Sequence, residues 1–414
     1  MFQEVKQLSE KQAGSQKLFI FLTVFIYLLG FGIIIPITPI LSREFGATAM
    51  EAGLLMSSYS LMQFLFSPFW GRLSDRLGRR PILLFCILGE GFSYILFAYA
   101  RNMETLFIAR ILAGFFGASI STASAYISDI TPKNERSKGM ALIGVAFGLG
   151  FVFGPALGGL LSLWGKHISP EPFFDSTFVA LWVSGICFAN FIFGWKFLTE
   201  SLKDKAPPRE KISRIKMIFD KLSAVTIGPL MVVYFLTSLA MSSMEATLIW
   251  FMGEKFHWGL QEVSFGFAYI GVMLVLTQGF IVRRMIPKVG ERQTLLVGLV
   301  LFFIGMTGIA FAPSIAMMGV TMTFLAVGNG LMNPSTLGSI SLIGRSDEQG
   351  VILGITQSLS SLGRILGPAL GGLIYSSVAI SAPFIFSGGM ALLGAFIVIK
   401  IYKDIPISGK RVSP

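Results

Sequence analysis

Gly71-Arg72-Leu73-Ser74-Asp75-Arg76-Leu77-Gly78-Arg79-Arg80-Pro81 sets four arginines and an aspartate between two apolar runs, 52–71 and 81–100. Each run is about 20 residues long. At 1.5 Å per residue, that length crosses roughly 30 Å of hydrocarbon. The charged stretch therefore reads as a tight loop held at a membrane face. Gly71 and Gly78 permit close backbone approach or a positive φ. Asp75 can pair with its basic neighbours or with the positive end of a helix from elsewhere in the chain. A solvated basic loop is the simpler alternative.

Outward from the loop, the chain repeats this pattern. Of 414 residues, 53% are hydrophobic and 13% charged, with mean hydropathy +0.73. Soluble domains carry about 25% charged residues, and a soluble chain of this length could not keep so much apolar surface from water. The expected class is an all-α membrane protein. Twelve spans are predicted, at 18–41, 52–71, 81–100, 104–128, 138–163, 176–198, 224–247, 263–282, 293–312, 315–340, 350–376 and 383–402. Spans 3 and 4 nearly touch, so a tight turn is expected near Arg101–Glu104. Polar residues 1–17 and the length of the first run argue against a cleavable signal peptide.

The charge distribution orients the spans. Of 33 Lys and Arg, 27 fall in the leader, the tail and the loops after spans 2, 4, 6, 8 and 10. The opposite side holds only Arg43, Arg101, Lys166 and Lys255, while Arg110 and Arg364 lie within spans. Positive charge marks the cytoplasmic side, so both termini are expected there. The net charge of +11 is thus a topology signal, and nucleic acid is not an expected partner. Cys86 and Cys187 read as small apolar residues. His167 and His257 lie near span ends and read as interfacial polar groups. No metal-ligand spacing, nucleotide loop or nucleophile motif is found, so no cofactor, metal or catalytic residue is expected, and the chain is not read as an enzyme.

The chain divides in two. Residues 1–17 form a leader, 18–199 a six-helix bundle, 200–223 a polar linker, 224–402 a second bundle and 403–414 a tail. The linker carries seven Lys and Arg plus Pro207 and Pro208, and its residues 212–222 could lie on the membrane as an amphipathic helix. Gly154-Pro155-Ala156-Leu157-Gly158-Gly159-Leu160 recurs 213 residues later as Gly367-Pro368-Ala369-Leu370-Gly371-Gly372-Leu373. Each copy falls in the fifth span of its half, a sign of internal duplication.

Three motifs carry a family resemblance. The loop at 71–81 resembles the signature G-x-L-x-D-R-x-G-R-R/K of the major facilitator superfamily, with a degraded copy at Gly279, Arg283, Arg284, Lys288, Gly290 and Arg292. Arg110-Ile111-Leu112-Ala113-Gly114-Phe115-Phe116-Gly117-Ala118 resembles its R-x-x-x-G-x-x-G-A motif. Gly144, Gly148, Gly150, Gly154, Pro155, Gly158 and Gly159 resemble the span-5 motif of its antiporters, although helix packing alone could explain the glycines. The resemblance implies two six-helix bundles of the major facilitator fold. It also implies a gating role for Gly71, Asp75, Arg76, Gly78, Arg79 and Arg80, with Asp129 as a partner for Arg76 or Arg79, and a link between Arg110 and proton transfer. The chain is closest in motif to the twelve-helix drug:proton antiporters, and Gly30 to Pro36 in span 1 is similar to tetracycline exporters. Those exporters carry an aspartate where this chain has Tyr27, and another where it has Ser93, which argues against tetracycline–metal exchange.

Arginine inside a span costs roughly 3 kcal/mol on insertion scales, so Arg110 is expected to face the protein interior. Glu90 in span 3 and Glu245 in span 7 are the acidic residues well inside spans. Burial disfavours a carboxylate's charge, which suits proton loading and release. Each is either a coupling or substrate group or a structural hydrogen-bonded carboxyl. Arg364 meets either an anionic group or a helix end or lipid headgroup. Tyr27, Phe31, Tyr126, Met241, Met244, Asn329, Met332 and Asn333 are the expected cavity lining; Phe and Met offer adaptable apolar surface.

The function expected is proton-coupled efflux of small apolar or amphipathic compounds by alternating access. The alternatives are a nutrient or metabolite symporter, a lipid exporter, or a non-transporting membrane sensor. Expected partners are a small-molecule substrate, protons and membrane lipid. The protein is expected to be a monomer in a bacterial inner membrane.

Overall fold

The computed structural model describes residues 2–131, 136–169, 176–202, 225–343 and 349–405, and side chains from residue 15 onward except at 136–141, 144, 147 and 349–351. Most of the leader's side chains, the linker beyond Leu202 with its segment 212–222, the tail beyond Ile405 and the surroundings of Gly144 lie outside the described residues.

Among the described residues, twelve helical rods follow one another. They are α1 (Phe2–Glu44), α2 (Ala49–Leu77), α3 (Arg79–Ala98) and α4, built from Met103–Gly117 and Ile120–Ile130. Next come α5 (Arg136–Ile168), α6 (Ser176–Phe197), α7 (Ile227–Phe256) and α8, which runs from Leu260–Leu276 through a π turn at Thr277–Val282 to Arg283–Val289. The last four are α9 (Glu291–Phe311), α10 (Ile315–Ile343), α11 (Gln349–Ser377) and α12 (Ala382–Lys400). Among the described residues there is no strand. A bilayer offers backbone groups no partner, and a helix satisfies them internally.

Ten of the rods are long and apolar enough to cross a membrane. The other two, α2 and α11, are 29 residues each and long enough, but more polar. The former carries Glu51, Gln63, Arg72 and Asp75; the latter carries Arg364 and a run of serines. Part of this polarity is enclosed by neighbouring helices, at Ser57 and Ser74 of α2 and Thr356 and Ser360 of α11.

The tight turn expected after α3 is present. Asn102 Oδ1 accepts the Thr105 backbone N–H at 2.9 Å and its hydroxyl at 2.8 Å, capping α4 three residues after Tyr99 closes α3. Thr48 and Glu51 cap α2 reciprocally: Thr48 N–H donates to Glu51 Oε2 at 2.7 Å and Glu51 N–H to Thr48 Oγ1 at 3.2 Å. The π turn in α8 was not legible in the sequence.

Contacts divide the chain into two compact units. The first contains Met1–Phe45, Ser58–Arg209 and Gly259–Ala268. The second contains Gly46–Ser57, Glu210–Trp258 and Tyr269–Pro414. The division falls within α2 and α8 as well as in the linker region. In the first unit α1 packs on α5 and α6, and α3 on α4 and α6. The second repeats this, with α7 on α11 and α12, and α9 on α10 and α12. The duplicated Gly-Pro motif thus serves the same pairing twice. A Cβ at Gly154 would lie 2.7 Å from the backbone of Gly32, and one at Gly367 would lie 2.9 Å from Ser242 Cβ. With no apolar solvent advantage between helices in lipid, such close backbone packing is the main source of association.

Candidate functional site

The α2–α3 turn is built by one backbone requirement. Gly78 has φ 110°, a conformation L side chains rarely adopt. That turn lets Arg79 fold back over α2. Its guanidinium is buried, with Nη2 on Asp75 Oδ1, Nη1 donating to Ser74 Oγ at 2.7 Å and Nε donating to Asp129 Oδ2 at 3.1 Å. Asp129 is therefore the partner of Arg79. Asp75 pairs with its own basic neighbour, four residues on. Arg72 and Arg76 are exposed. Gly71 contributes its carbonyl, accepting from Ser74 Oγ at 2.8 Å.

Glu200 completes this turn, and the sequence reading missed it. Its Oε1 accepts the Arg79 backbone N–H at 2.8 Å and its Oε2 that of Arg80 at 3.2 Å. A carboxylate there satisfies orphan donors and the positive end of α3. Oε1 also accepts from the N–H groups of Ser201 and Leu202, each at 3.0 Å. Arg80 donates to the Trp195 carbonyl at the end of α6. The degraded copy keeps two of these devices: Gly290 has φ 84°, and Arg292 donates to the Tyr402 carbonyl beyond α12 at 3.5 Å. Where Arg79 is buried in the first copy, Glu291 is buried in the second, so the charge is reversed.

The centre of the first unit holds a charged cluster. Arg110 is 2% exposed and Glu90 1%. The Arg110 guanidinium lies over the Tyr59 ring, 4.6 Å from its centroid, and its Nε and Nη1 have no hydrogen-bond partner among the described residues. Glu90 lies within its electrostatic reach and accepts from Tyr94 Oη at 3.1 Å. A buried ion loses several kcal/mol of solvation. A desolvated cation–π contact returns about 2 kcal/mol, and Glu90 supplies opposite charge.

A break in α4 extends the cluster. Ser121 N–H bonds to the Ala118 carbonyl instead of that of Gly117. The released Gly117 carbonyl accepts from Tyr27 Oη at 3.0 Å and Gln63 Nε2 at 3.2 Å. Tyr27 has spent its proton there, so Tyr59 donates in the 3.1 Å contact between the two hydroxyls. A Cβ at Gly117 would lie 2.7 Å from Tyr59 Oη and 2.9 Å from Tyr27 Oη, which explains the glycine three after Gly114. Phe31 stacks on Tyr59 at 5.0 Å and meets Phe151 of α5 edge-on at 6.0 Å. Among the described residues, Gly148 has nothing within 4 Å of a built Cβ, whereas Gly158 packs on Ile33. Pro155 is buried inside α5.

In the second unit, Tyr234, Ser238, Met241 and Glu245 are half-buried along one stripe of α7. Asn333 Nδ2 donates to Asn329 Oδ1 at 3.0 Å on α10, and Asn329 Nδ2 lies 4.0 Å from Met241 Sδ. Arg364 on α11 lies within electrostatic reach of both Glu245 and Tyr234. Three more residues of the expected lining are fully buried. Met244 and Met332 are fully enclosed by helix packing. Tyr126 is also fully buried, its hydroxyl donating to the Thr199 carbonyl at 2.7 Å at the end of α6. Each sits on the inward side of its helix, which span membership alone does not reveal.

The major facilitator superfamily model matches residues 20–288 and 230–414. The chain belongs to the Major Facilitator Superfamily. It is an integral, multi-pass membrane protein of that transporter family. Its curated relatives include the class B tetracycline resistance protein of Escherichia coli, 30% identical over 379 residues, covering 90% of this chain and 92% of the relative. Multidrug resistance protein 2 of Bacillus subtilis is 28% identical over 397 residues, covering 93% and 95%. Among solved structures, the human organic anion transporter MFSD10 (TETRAN) superposes with TM-score 0.68 at 26% identity, covering 93% of this chain and 99% of that one. These superfamily relatives align through both units.

Proposed function

We propose that this chain exports small apolar or amphipathic compounds, drugs included, in exchange for protons by alternating access. The relatives named for tetracycline and multidrug resistance support the direction of transport and the class of cargo. In this reading the protein works as a monomer in a bacterial inner membrane, with both termini cytoplasmic. Transport by binding and conformational exchange, without catalysis, is its whole chemistry.

The observation that carries proton coupling is Glu90 enclosed beside Arg110. The Tyr94 hydroxyl donates to it, and the Arg110 cation lies near; a change in either contact as the helices move is the step that takes up or releases its proton. Glu245, within electrostatic reach of Arg364 in the second unit, is the second coupling candidate. Arg79, Asp75 and Asp129 act in this reading as the gate that opens and re-forms during exchange. The aspartate that tetracycline exporters carry in span 1 is replaced by Tyr27, which is already committed to Gly117, so tetracycline–metal chelates are not the proposed cargo.

The test uses everted membrane vesicles with an imposed proton gradient and an apolar fluorescent dye. The wild-type chain is expected to accumulate dye in the vesicles, and a protonophore should abolish this. Glu90→Gln should keep gradient-independent dye exchange but lose gradient-driven accumulation. Full accumulation by that variant would remove Glu90 from coupling. Dye movement indifferent to the gradient would remove proton exchange altogether.

A further inference from the structure

We propose that Arg364 receives an anionic group of the exported compound, with Glu245 as its resident counter-ion, which narrows the cargo to amphipathic compounds bearing a carboxylate, sulfonate or similar anion. The inference rests on the efflux reading above.

It starts from the duplication. The 213-residue offset relating Gly154 to Gly367 also relates Phe151 to Arg364. The packing shows that the offset is structural. A Cβ at Gly150 would lie 2.9 Å from Leu28 of α1, and one at Gly363 would lie 2.8 Å from Leu239 N of α7. The next residue in each copy therefore leaves the same helix crossing in an equivalent way. In the first unit that residue is Phe151, joined to an aromatic face through Phe31. In the second it is a cation.

The position excludes two structural roles. Arg364 is 15 residues from the start of α11 at Gln349 and 13 from its end at Ser377. At 1.5 Å per residue, each end is roughly 20 Å away, beyond the reach of an arginine side chain. It neither caps an end of α11 nor snorkels along it to a headgroup. It is half-buried, with Nη2 donating to Ser361 Oγ at 3.3 Å. The nearby α7 stripe offers Tyr234, Ser238, Met241 and Glu245, a surface part polar and part apolar. An arginine inside a span marks a functional path unless its partner is purely structural. Its planar fork suits a carboxylate or sulfonate, which it can bind with two parallel hydrogen bonds. Met241 and the Asn329–Asn333 pair beside it can hold the less polar part of the same molecule.

The experiment compares 8-anilino-1-naphthalenesulfonate with N-phenyl-1-naphthylamine, the same ring system with and without the anion. In gradient-driven vesicles the wild-type chain should move the sulfonate in preference. Measured as exchange without a gradient, so that coupling through Glu245 does not enter, Arg364→Gln should lower the ratio of sulfonate to amine transport ~10-fold or more, and Arg364→Lys should restore part of that ratio. Equal loss of both dyes in a variant that is folded, judged by its melting in detergent, overturns the assignment. If Arg364→Gln does not fold, competition on the wild-type protein decides. The sulfonate should inhibit amine transport more strongly than a neutral naphthalene does, and equal inhibition overturns the assignment. Wild-type transport of the neutral dye alone overturns it and leaves efflux standing. Transport of neither dye overturns efflux and this inference together.

Discussion

Arg79 donates from Nε to Asp129 Oδ2 at 3.1 Å, joining the start of α3 to the end of α4. Because the guanidinium is buried, losing an acceptor leaves it under-satisfied, whereas Asp129 is 27% exposed and can be hydrated. Asp129→Ala should therefore cost about 1–3 kcal/mol, less than a fully buried pair, since Asp75 remains. It should also speed opening of the gate in the proposed cycle. Thermal melting in detergent and single-turnover dye exchange measure the two effects. A variant unchanged in both would reduce the loop to a topology signal.

Glu200 makes a different prediction. It caps α3 with a charge, so Glu200→Gln retains an acceptor oxygen and loses the charge, while Glu200→Ala loses both. Removing a helix cap costs ~0.5–2 kcal/mol, and the alanine variant should show the larger loss. Hydrogen exchange of the amides of Arg79 and Arg80 should rise in that order. Equal protection in all three proteins would show that the turn is held by Gly78 and Arg79 alone.

The contrast between Asp129 and Glu200 shows what the sequence exposes. Asp129 was legible because it sits at the end of an apolar run, with arginines facing it across a short loop. Glu200 begins the polar linker, where a carboxylate among lysines looks solvated. Only the return of α6 to the α3 terminus gives it a role. The twelve-rod architecture was legible because hydrophobic length counts the spans and the duplicated Gly-Pro motif gives their register. Arg110 was legible as an interior cation because its insertion cost demands a reason. Its partner ring, Tyr59, was not, since an aromatic residue in a membrane helix carries no such cost. The full burial of Tyr126 and Met332 was not legible for a related reason: membership of a span does not tell which side of the helix faces neighbours.

Tyr59 supports Arg110 through its ring and Tyr27 through its hydroxyl, and the two roles separate. Tyr59→Phe removes the donor to Tyr27 and keeps the cation–π face, so stability should fall by about 1 kcal/mol. Tyr59→Leu removes both and should cost about 2 kcal/mol more. Melting of the purified variants measures this difference. If Phe and Leu are equally destabilising, the ring face contributes nothing and the hydroxyl is the whole effect.

The glycines of the first unit divide by what surrounds them. A Cβ at Gly154 would meet Gly32 Cα at 2.7 Å, backbone against backbone, so no side chain can yield by rotating. Gly154→Ala should force α1 and α5 apart and cost about 1–3 kcal/mol. Gly148, six residues earlier on α5, has nothing within 4 Å of its built Cβ among the described residues. Gly148→Ala should be neutral or stabilising by up to about 1 kcal/mol, since alanine is the better helix former. Melting temperatures of the two variants in one detergent make the comparison. If both alanines destabilise alike, the span-5 glycines serve the flexibility of α5 and not its contact with α1. If neither does, the close approach of Gly154 to Gly32 is not what fixes that helix pair.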